Sequence, residues 1–226
     1  MTRNRPSSLL ILLAPLAFFA SLLAARAQST GQEGVPADSV AIVVGSDPSQ
    51  IRTFAARELT RYIERMAGQK IQKGTAAAHR IYIGEIPTGL PAQALTKLRE
   101  DSGTLSRDGF IVRKVGGDVI VMGKGDRGEL YGCYAFLEHL GVRWFFPGKE
   151  HEVVPRRGIN WSQPLNIVES PTFAERTLFY WPHNYTKFED WIDFSAKARL
   201  NRIAIHYTLP ARDWYINARE RALPEL

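Results

Sequence analysis

The stretch from Gly109 to Gly148 constrains this chain more than any other. It reads GFIVRKVGGDVIVMGKGDRGELYGCYAFLEHLGVRWFFPG. Phe110, Val112 and Lys114 alternate with Ile111, Arg113 and Val115, the ragged period-two pattern of a half-buried strand. Gly116-Gly117 is a two-residue hairpin signal, because glycine supplies the positive φ angles such turns need. Val119 to Met122 is the apolar return strand. A glycine-rich turn from Gly123 to Gly128 then leads into a helix, with Asp126 as the expected N-cap and Glu129 near the positive end of the helix dipole. Leu130, Tyr134, Leu137 and Leu140 give that helix an apolar stripe flanked by Cys133 and Phe136, and Gly141 ends it.

The same turn contains a literal G-x-G-x-x-G in Gly123, Gly125 and Gly128. Read as a dinucleotide-binding turn, it would seat a pyrophosphate on the helix N-terminus. A dinucleotide unit opens with a parallel strand and carries an acidic residue for the ribose at the tip of the next strand. Here the preceding strand is hairpin-paired, and the following apolar run, Val142 to Phe146, ends in Pro147-Gly148 with no acid. A structural strand-to-helix turn is the preferred reading. Nucleotide binding through Gly123, Gly125 and Gly128 is kept as the lesser alternative.

The N-terminus is expected to be a targeting segment. Arg3 and Arg5 precede an apolar run from Leu9 to Ala25, and Ala25-Arg26-Ala27 offers a small-x-small cleavage pattern. This predicts a secretory signal peptide over residues 1–27, a mature start at Gln28, and a secreted or periplasmic location. A retained anchor is the alternative, since the run is about long enough to span a bilayer. Removing Arg3, Arg5 and Arg26, with no acid among the lost residues, lowers the formal charge from +6 to +3. That charge is mild and scattered, so no nucleic-acid partner is expected. The single Cys133 has no disulfide partner in the chain and reads as a small buried hydrophobe. No metal-ligand spacing is present, and neither a metal nor a cofactor is expected.

Residues 28–39 read as a flexible N-terminus and Val40–Val44 as a buried strand. A helix follows, capped by Ser46 or Asp47 with Pro48 in its first turn. Ile51, Phe54, Ala55, Leu59, Tyr62, Ile63 and Met66 form its apolar face. Ile71 is the edge of a possible short strand, Arg80–Gly84 a core strand, and Leu90–Arg99 a short helix. With the hairpin and its helix, this order predicts an α+β (α/β layer) domain over residues 40–155, one sheet with helices packed on it.

The run GDRGELYG followed by GVRWF, together with the AARELTRYIERMAG helix, resembles the N-terminal domain of bacterial α-glucuronidase-like proteins. The likeness spans about Val40 to Pro155. The same architecture is the non-catalytic second domain of β-hexosaminidases. The resemblance implies a domain that leads into, and buttresses, a glycosidase-type TIM barrel.

Residues 156–171 read as a linker containing Pro164 and Pro171. Beyond it, Phe173–Trp181 is predicted as a strand, Phe188–Leu200 as an amphipathic helix and Asn201–Tyr207 as a second strand. Strand, helix, strand at this spacing is one βαβ unit with a parallel pair. Residues 172–226 are therefore expected to be the first unit of an incomplete (β/α) barrel, because a lone unit cannot cover both faces of its strands. Arg176-Thr177-Leu178-Phe179-Tyr180-Trp181 resembles the R-x-L-x-x-W run of the first barrel strand of α-glucuronidases, where the aromatic lies in the sugar site. That family continues with an acid and Asn, whereas here Pro182 and His183 precede Asn184. The resemblance makes Trp181, Arg176, His183 and Asn184 candidate substrate-binding residues. His206 joins them because it ends the second strand, on the face where barrel sites are built. Trp181 reads equally well as a core residue, and His206 as a satisfied strand-end side chain.

Glycoside hydrolysis needs two carboxylates facing each other across the scissile bond. Glu189, Asp190 and Asp193 fall on the helix, which lies outside in a barrel, and no catalytic residue is assigned. The leading expectation is the N-terminal portion of an exported, α-glucuronidase-like glycoside hydrolase of polysaccharide breakdown, inactive by itself. Its partners would be carbohydrate and the rest of its own barrel. The alternative is a non-catalytic sugar-binding or scaffold module, with Trp144, Trp161 and Trp214 as candidate stacking platforms.

Overall fold

The computed structural model describes residues 34–72, 77–180 and 187–205. Their elements are β1 (Val40–Val44), α1 (Gln50–Ala67), β2 (His79–Ile83), α2 (Ala92–Thr104), β3 (Phe110–Val115), β4 (Asp118–Gly123), α3 (Asp126–His139), β5 (Arg143–Trp144), β6 (Glu152–Val153), β7 (Asn166–Glu169), β8 (Thr177–Tyr180), α4 (Phe188–Lys197) and β9 (Arg202–Ile205). The signal-peptide reading falls outside the described residues. Among those that are described, no helix is long and apolar enough to cross a membrane.

The fold is α+β. Its main sheet runs β1-β2-β4-β3-β7. The first three strands are mutually parallel, and β3 is antiparallel to both β4 and β7. Gly116, at φ 61°, turns the β3–β4 hairpin so that Val115 pairs with Asp118. The ragged alternation in β3 has a physical cause: both faces of the strand are covered. Phe110 and Val112 face the cluster built from α1 and α3, while Ile111 and Ile120 face Leu98 and Leu105 at α2. Arg113 is admitted to the covered region because Asp101 and Asn166 accept hydrogen bonds from its guanidinium at 2.5 and 2.7 Å.

Several local expectations are corrected. The cap of α1 is Ser49, whose hydroxyl accepts from the Arg52 amide at 3.1 Å, so Pro48 precedes the helix. Asp126 is the first residue of α3, after Gly125 at φ 90°, and does not cap it. Ile71 joins no strand; the neighbouring Gln72 amide instead donates to Val40. The 156–171 segment is more than a linker. It supplies the edge strand β7 and buries Ile159, Trp161 and Leu165 in the core. Residues 34–39 are likewise packed: Val35 bridges Ile159, and Ala37 is fully buried. Gly34 and Gly158 make this possible, since a Cβ on Gly34 would lie 2.2 Å from the Gly158 carbonyl carbon. Apolar residues spaced too irregularly for a strand or helix signal pull both segments onto the core.

Downstream, β8 and β9 pair in parallel from Thr177↔Arg202 to Tyr180↔Ile205, with α4 as the crossover, as the βαβ reading expects. Tyr180 and Phe188 form their own small core, against which Trp191, Ile192, Ile203 and Ile205 pack.

Helix α3 is the centre of the assembly, with every residue from Gly128 to Leu137 buried. It lies close to the sheet because glycines face the strands. A Cβ on Gly132 would sit 2.7 Å from Val121 Cγ1, and one on Gly128 would sit 2.5 Å from the Gly109 carbonyl oxygen. The second contact is with backbone, which cannot rotate away. The Gly128→Ala variant is expected to lose about 1–3 kcal/mol, the usual cost of forcing extra volume into a packed core. Urea titration should show a lower midpoint at an unchanged slope.

Candidate functional site

The glycine turn is built for packing. A Cβ on Gly123 would lie 2.3 Å from the Glu129 amide nitrogen, so the strand end is pressed against the first turn of α3. The space before that turn holds a side chain of the protein itself. Arg52 of α1 donates to Glu129 Oε2 at 2.7 Å and Oε1 at 2.9 Å, and lies 3.5 Å from Asp126. Its guanidinium fills the ground above Gly84, where a Cβ would stand 2.5 Å from it. Two carboxylates and a neutralising arginine take the place an anionic pyrophosphate would need.

The chemistry-bearing residues gather where the βαβ unit meets the sheet domain. Asp108, with φ at 66°, is nearly fully buried just before β3. Its carboxylate accepts from Arg127 Nε at 2.8 Å, Arg176 Nη2 at 2.9 Å and Asn201 Nδ2 at 2.7 Å. Burial pushes its pKa up, but these three donors outweigh burial and hold it below the usual carboxylate range. Tyr131 hydroxyl donates to the Leu200 carbonyl at 2.9 Å, and the ring lies under the Arg176 guanidinium, 5.7 Å from its centroid. A cavity of about 450 Å³ opens here, lined by Asp108, Phe110, Tyr131, Glu169, Arg176 and Arg199 among others.

A second knot lies farther along α3, around Glu152 and Tyr134. Glu152 on β6 accepts from Tyr62 hydroxyl at 2.5 Å, Arg65 at 2.5 Å and Lys197 Nζ at 2.8 Å. Lys197 also donates to Asp193 one helical turn earlier. Trp144 completes the knot: its indole N–H donates to Tyr62 hydroxyl at 2.8 Å, and its ring meets Tyr62 and Tyr134 edge-on, each at 5.4 Å.

Of the sequence-predicted site residues, Arg176 alone lies among the described ones. Its guanidinium donates to the Phe173 and Arg199 carbonyls as well as to Asp108. Trp181, His183, Asn184 and His206 lie outside the described residues, as does Trp214. The two described tryptophans proposed for stacking are committed elsewhere: Trp144 sits in the Glu152 knot, and Trp161 is buried, donating to the Gly117 carbonyl at 2.9 Å. Cys133 is fully buried and burial pushes its thiol up, so it behaves as a hydrophobe. No group of three metal-ligating side chains occurs among the described residues.

The G-D-R-G-E-L-Y-G run thereby acquires a structural meaning. Gly125 starts the helix, Asp126 meets Arg52, Arg127 holds Asp108, Gly128 and Gly132 touch the sheet, and Tyr131 reaches the next unit. Sequence reading missed Asp108, Glu152 and Lys197. Their isolated acidic and basic letters carry no periodicity, and only the tertiary pairing singles them out.

A layered α+β domain with a parallel βαβ unit locked onto its central helix is the class the fold defines. Residues 23–136 match the family described as the glycosyl hydrolase family 67 N-terminus, and the chain belongs to that family. It is similar to the α-glucuronidase of Hypocrea jecorina, with 31% identity over 74 residues, covering 33% of this chain and 9% of that protein. Among solved structures it is similar to a family GH115 4-O-methyl-α-glucuronidase with specificity for decorated arabinogalactans. That likeness has a TM-score of 0.53 and 18% identity, over 86% of this chain and 28% of the other, and it shows a shared fold. The GH20 exo-β-N-acetylglucosaminidase of Vibrio harveyi gives a TM-score of 0.48 at 13% identity, over 77% of this chain and 23% of the other. The chain thus spans less than a third of each of these relatives.

The Glu152 knot predicts how this junction responds to acid. Burial raises the carboxyl's pKa, but hydrogen bonds from Lys197, Tyr62 and Arg65 prevail and bring it to about 2, from an ordinary 4.5. A folded-state pKa below the unfolded one means the stabilisation is complete above pH 4.5 and is lost as the pH falls toward 2. Its size is on the order of 3 kcal/mol. Melting temperatures followed downward from neutral pH should drop across that window. Glu152→Gln should melt lower at neutral pH and show a shallower acid slope.

Proposed function

We propose that this chain is the N-terminal part of an exported α-glucuronidase-like glycoside hydrolase of polysaccharide breakdown, and that this part does not itself cleave glycosides. Membership of the family 67 N-terminus carries the reading. Two of the similar proteins are named as α-glucuronidases, which supports the substrate class. In this reading the sheet domain is a buttress, and β8-α4-β9 opens a (β/α) barrel whose first strands it holds in place. Trp181, His183, Asn184 and His206 follow the strand ends, where a barrel builds its site, and would contact the sugar. Arg176 would act by fixing the base of β8.

Two observations support inactivity of this part. The observed strands, Thr177–Tyr180 and Arg202–Ile205, contain no Asp or Glu. A general acid needs a raised pKa, whereas Asp101, Asp108 and Glu152 are all shifted downward by cationic or hydrogen-bonding neighbours. Glu175 is exposed and ion-paired with Arg202. The chain from Gln28 to Leu226 is therefore expected to give no turnover of aryl glucuronides or aryl hexosaminides. Turnover abolished by Glu175→Gln or Glu189→Gln would place a catalytic carboxylate here and sink the reading.

Export is checked separately. Secreted material should begin at or near Gln28 on N-terminal sequencing. Recovery of Met1 would contradict it.

A further inference from the structure

A cleft of about 920 Å³ opens beside the C-terminal half of α1. Among the described residues its walls carry Arg57, Arg61, Arg65, Lys70, Arg156 and Arg157, against the single acid Glu64. We propose that this cleft, which no residue of β8 or β9 lines, is a binding site for a carboxylate-bearing polysaccharide chain; the inference rests on the carbohydrate-active reading above.

The surplus of charge is real after local pairing is counted. Each neighbouring acid already has a cation: Glu58 holds Arg61 at 2.8 Å, Glu64 holds Lys70 at 2.8 Å, and Glu152 holds Arg65 at 2.5 Å. Arg57, Arg156 and Arg157 are exposed and have no carboxylate partner among the described residues. The negative end of the α1 dipole explains only part of the cluster. Its carbonyls are already met by backbone, with the Gly68 amide donating to Glu64 and the Arg157 amide to Met66. The dipole is felt only within the last turn, and Arg57 and Arg61 lie farther back than that.

The arrangement suits an extended anion. Arg57, Arg61 and Arg65 recur every four residues on one helix face, a row of roughly 12 Å at 1.5 Å per residue. Arg156 and Arg157 line the same cleft, with one Arg157 nitrogen already donating to the Leu140 carbonyl at 3.1 Å. Five of the six cations are arginines, whose planar fork matches a carboxylate with two parallel hydrogen bonds. Among the described residues no aromatic side chain lines the cleft, so the sugar would be held by its charges and not by ring stacking. Binding should accordingly weaken as salt is added.

The test is electrophoresis of the chain through gels containing polygalacturonate, neutral dextran, dextran sulfate or single-stranded DNA. Polygalacturonate should retard the protein and dextran should not. A variant carrying Arg57→Gln, Arg156→Gln and Arg157→Gln should bind polygalacturonate about ten-fold more weakly. A charge-matched control with Arg99→Gln, Arg107→Gln and Lys124→Gln, all exposed elsewhere, should bind normally. Failure of polygalacturonate to retard the wild-type chain overturns the proposal, as does an equal loss in the control. Dextran sulfate or DNA binding as tightly as polygalacturonate also overturns it, since recognition would then be of charge alone. The wild-type comparison stands even if a variant folds poorly. Retardation and turnover are independent readouts, so a failed cleft leaves the glycosidase reading intact, and the reverse holds too.

Discussion

Everything in this molecule leans on α3, a helix with no solvent side along most of its length. Such a helix must meet partners all round, and each must approach at the distance its side chains allow. On the sheet side, Gly128 and Gly132 bring the helix axis close to Gly109 and Val121. On the α1 side, the contact is made by large residues: Tyr62, Leu59 and Ile63 pack with Tyr134, Leu130 and Leu137 in one cluster. The remaining side receives the βαβ unit, through Tyr131 to the Leu200 carbonyl and Glu138 to Arg199. One helix thereby fixes the sheet, its neighbouring helix and the following unit relative to one another.

Charged groups take a large part in how that last unit is held. Asp108 and Glu152 sit at separate points of the contact, and each is a buried carboxylate shared by at least three donors. Buried ion pairs contribute modest net stability, because desolvation offsets much of the attraction. They are demanding in geometry, however, since a donor displaced by an ångström leaves a charge unmet. Two such knots at separate points of one contact therefore restrict rotation as well as translation. Packing of Phe146 against Trp191 adds apolar contact between the β5–β6 hairpin and α4.

The sheet domain was largely legible because its signals are local. The Gly-Gly hairpin, the amphipathic α1 and the glycine-rich entry to α3 are patterns that physics imposes within a dozen residues. The limits of that reading have physical causes. Asp126 looks like an N-cap, but the backbone at Gly125 leaves the cap position to glycine, and the acid is drawn to Arg52. Residues 156–171 look like a linker because prolines punctuate them. Their four-residue strand is specified by the open edge of β3, a feature the segment itself does not encode. Trp161 looks like an exposed platform until the sheet places the Gly117 carbonyl within reach of its indole N–H. The Asp108 and Glu152 knots join residues up to 93 positions apart, a separation at which no periodicity speaks.

The glycine motif shows how the same letters can serve opposite chemistries. In a nucleotide-binding turn, missing side chains make room for a phosphate, and the helix dipole is left free to attract it. Here the missing side chains make room for protein: Gly128 for the Gly109 carbonyl, Gly123 for the first turn of α3, Gly84 for the Arg52 guanidinium. The dipole is answered internally by Glu129 and Asp126, whose charge Arg52 neutralises. Strand β4 has the parallel β2 on one side and the antiparallel β3 on the other, and it is β3 that brings Gly109 and Asp108 directly up to the helix entry. That same arrival lets Arg127 hold Asp108, and through it the base of β8. The turn that could have cradled a cofactor instead transmits the position of the sheet to the unit that follows.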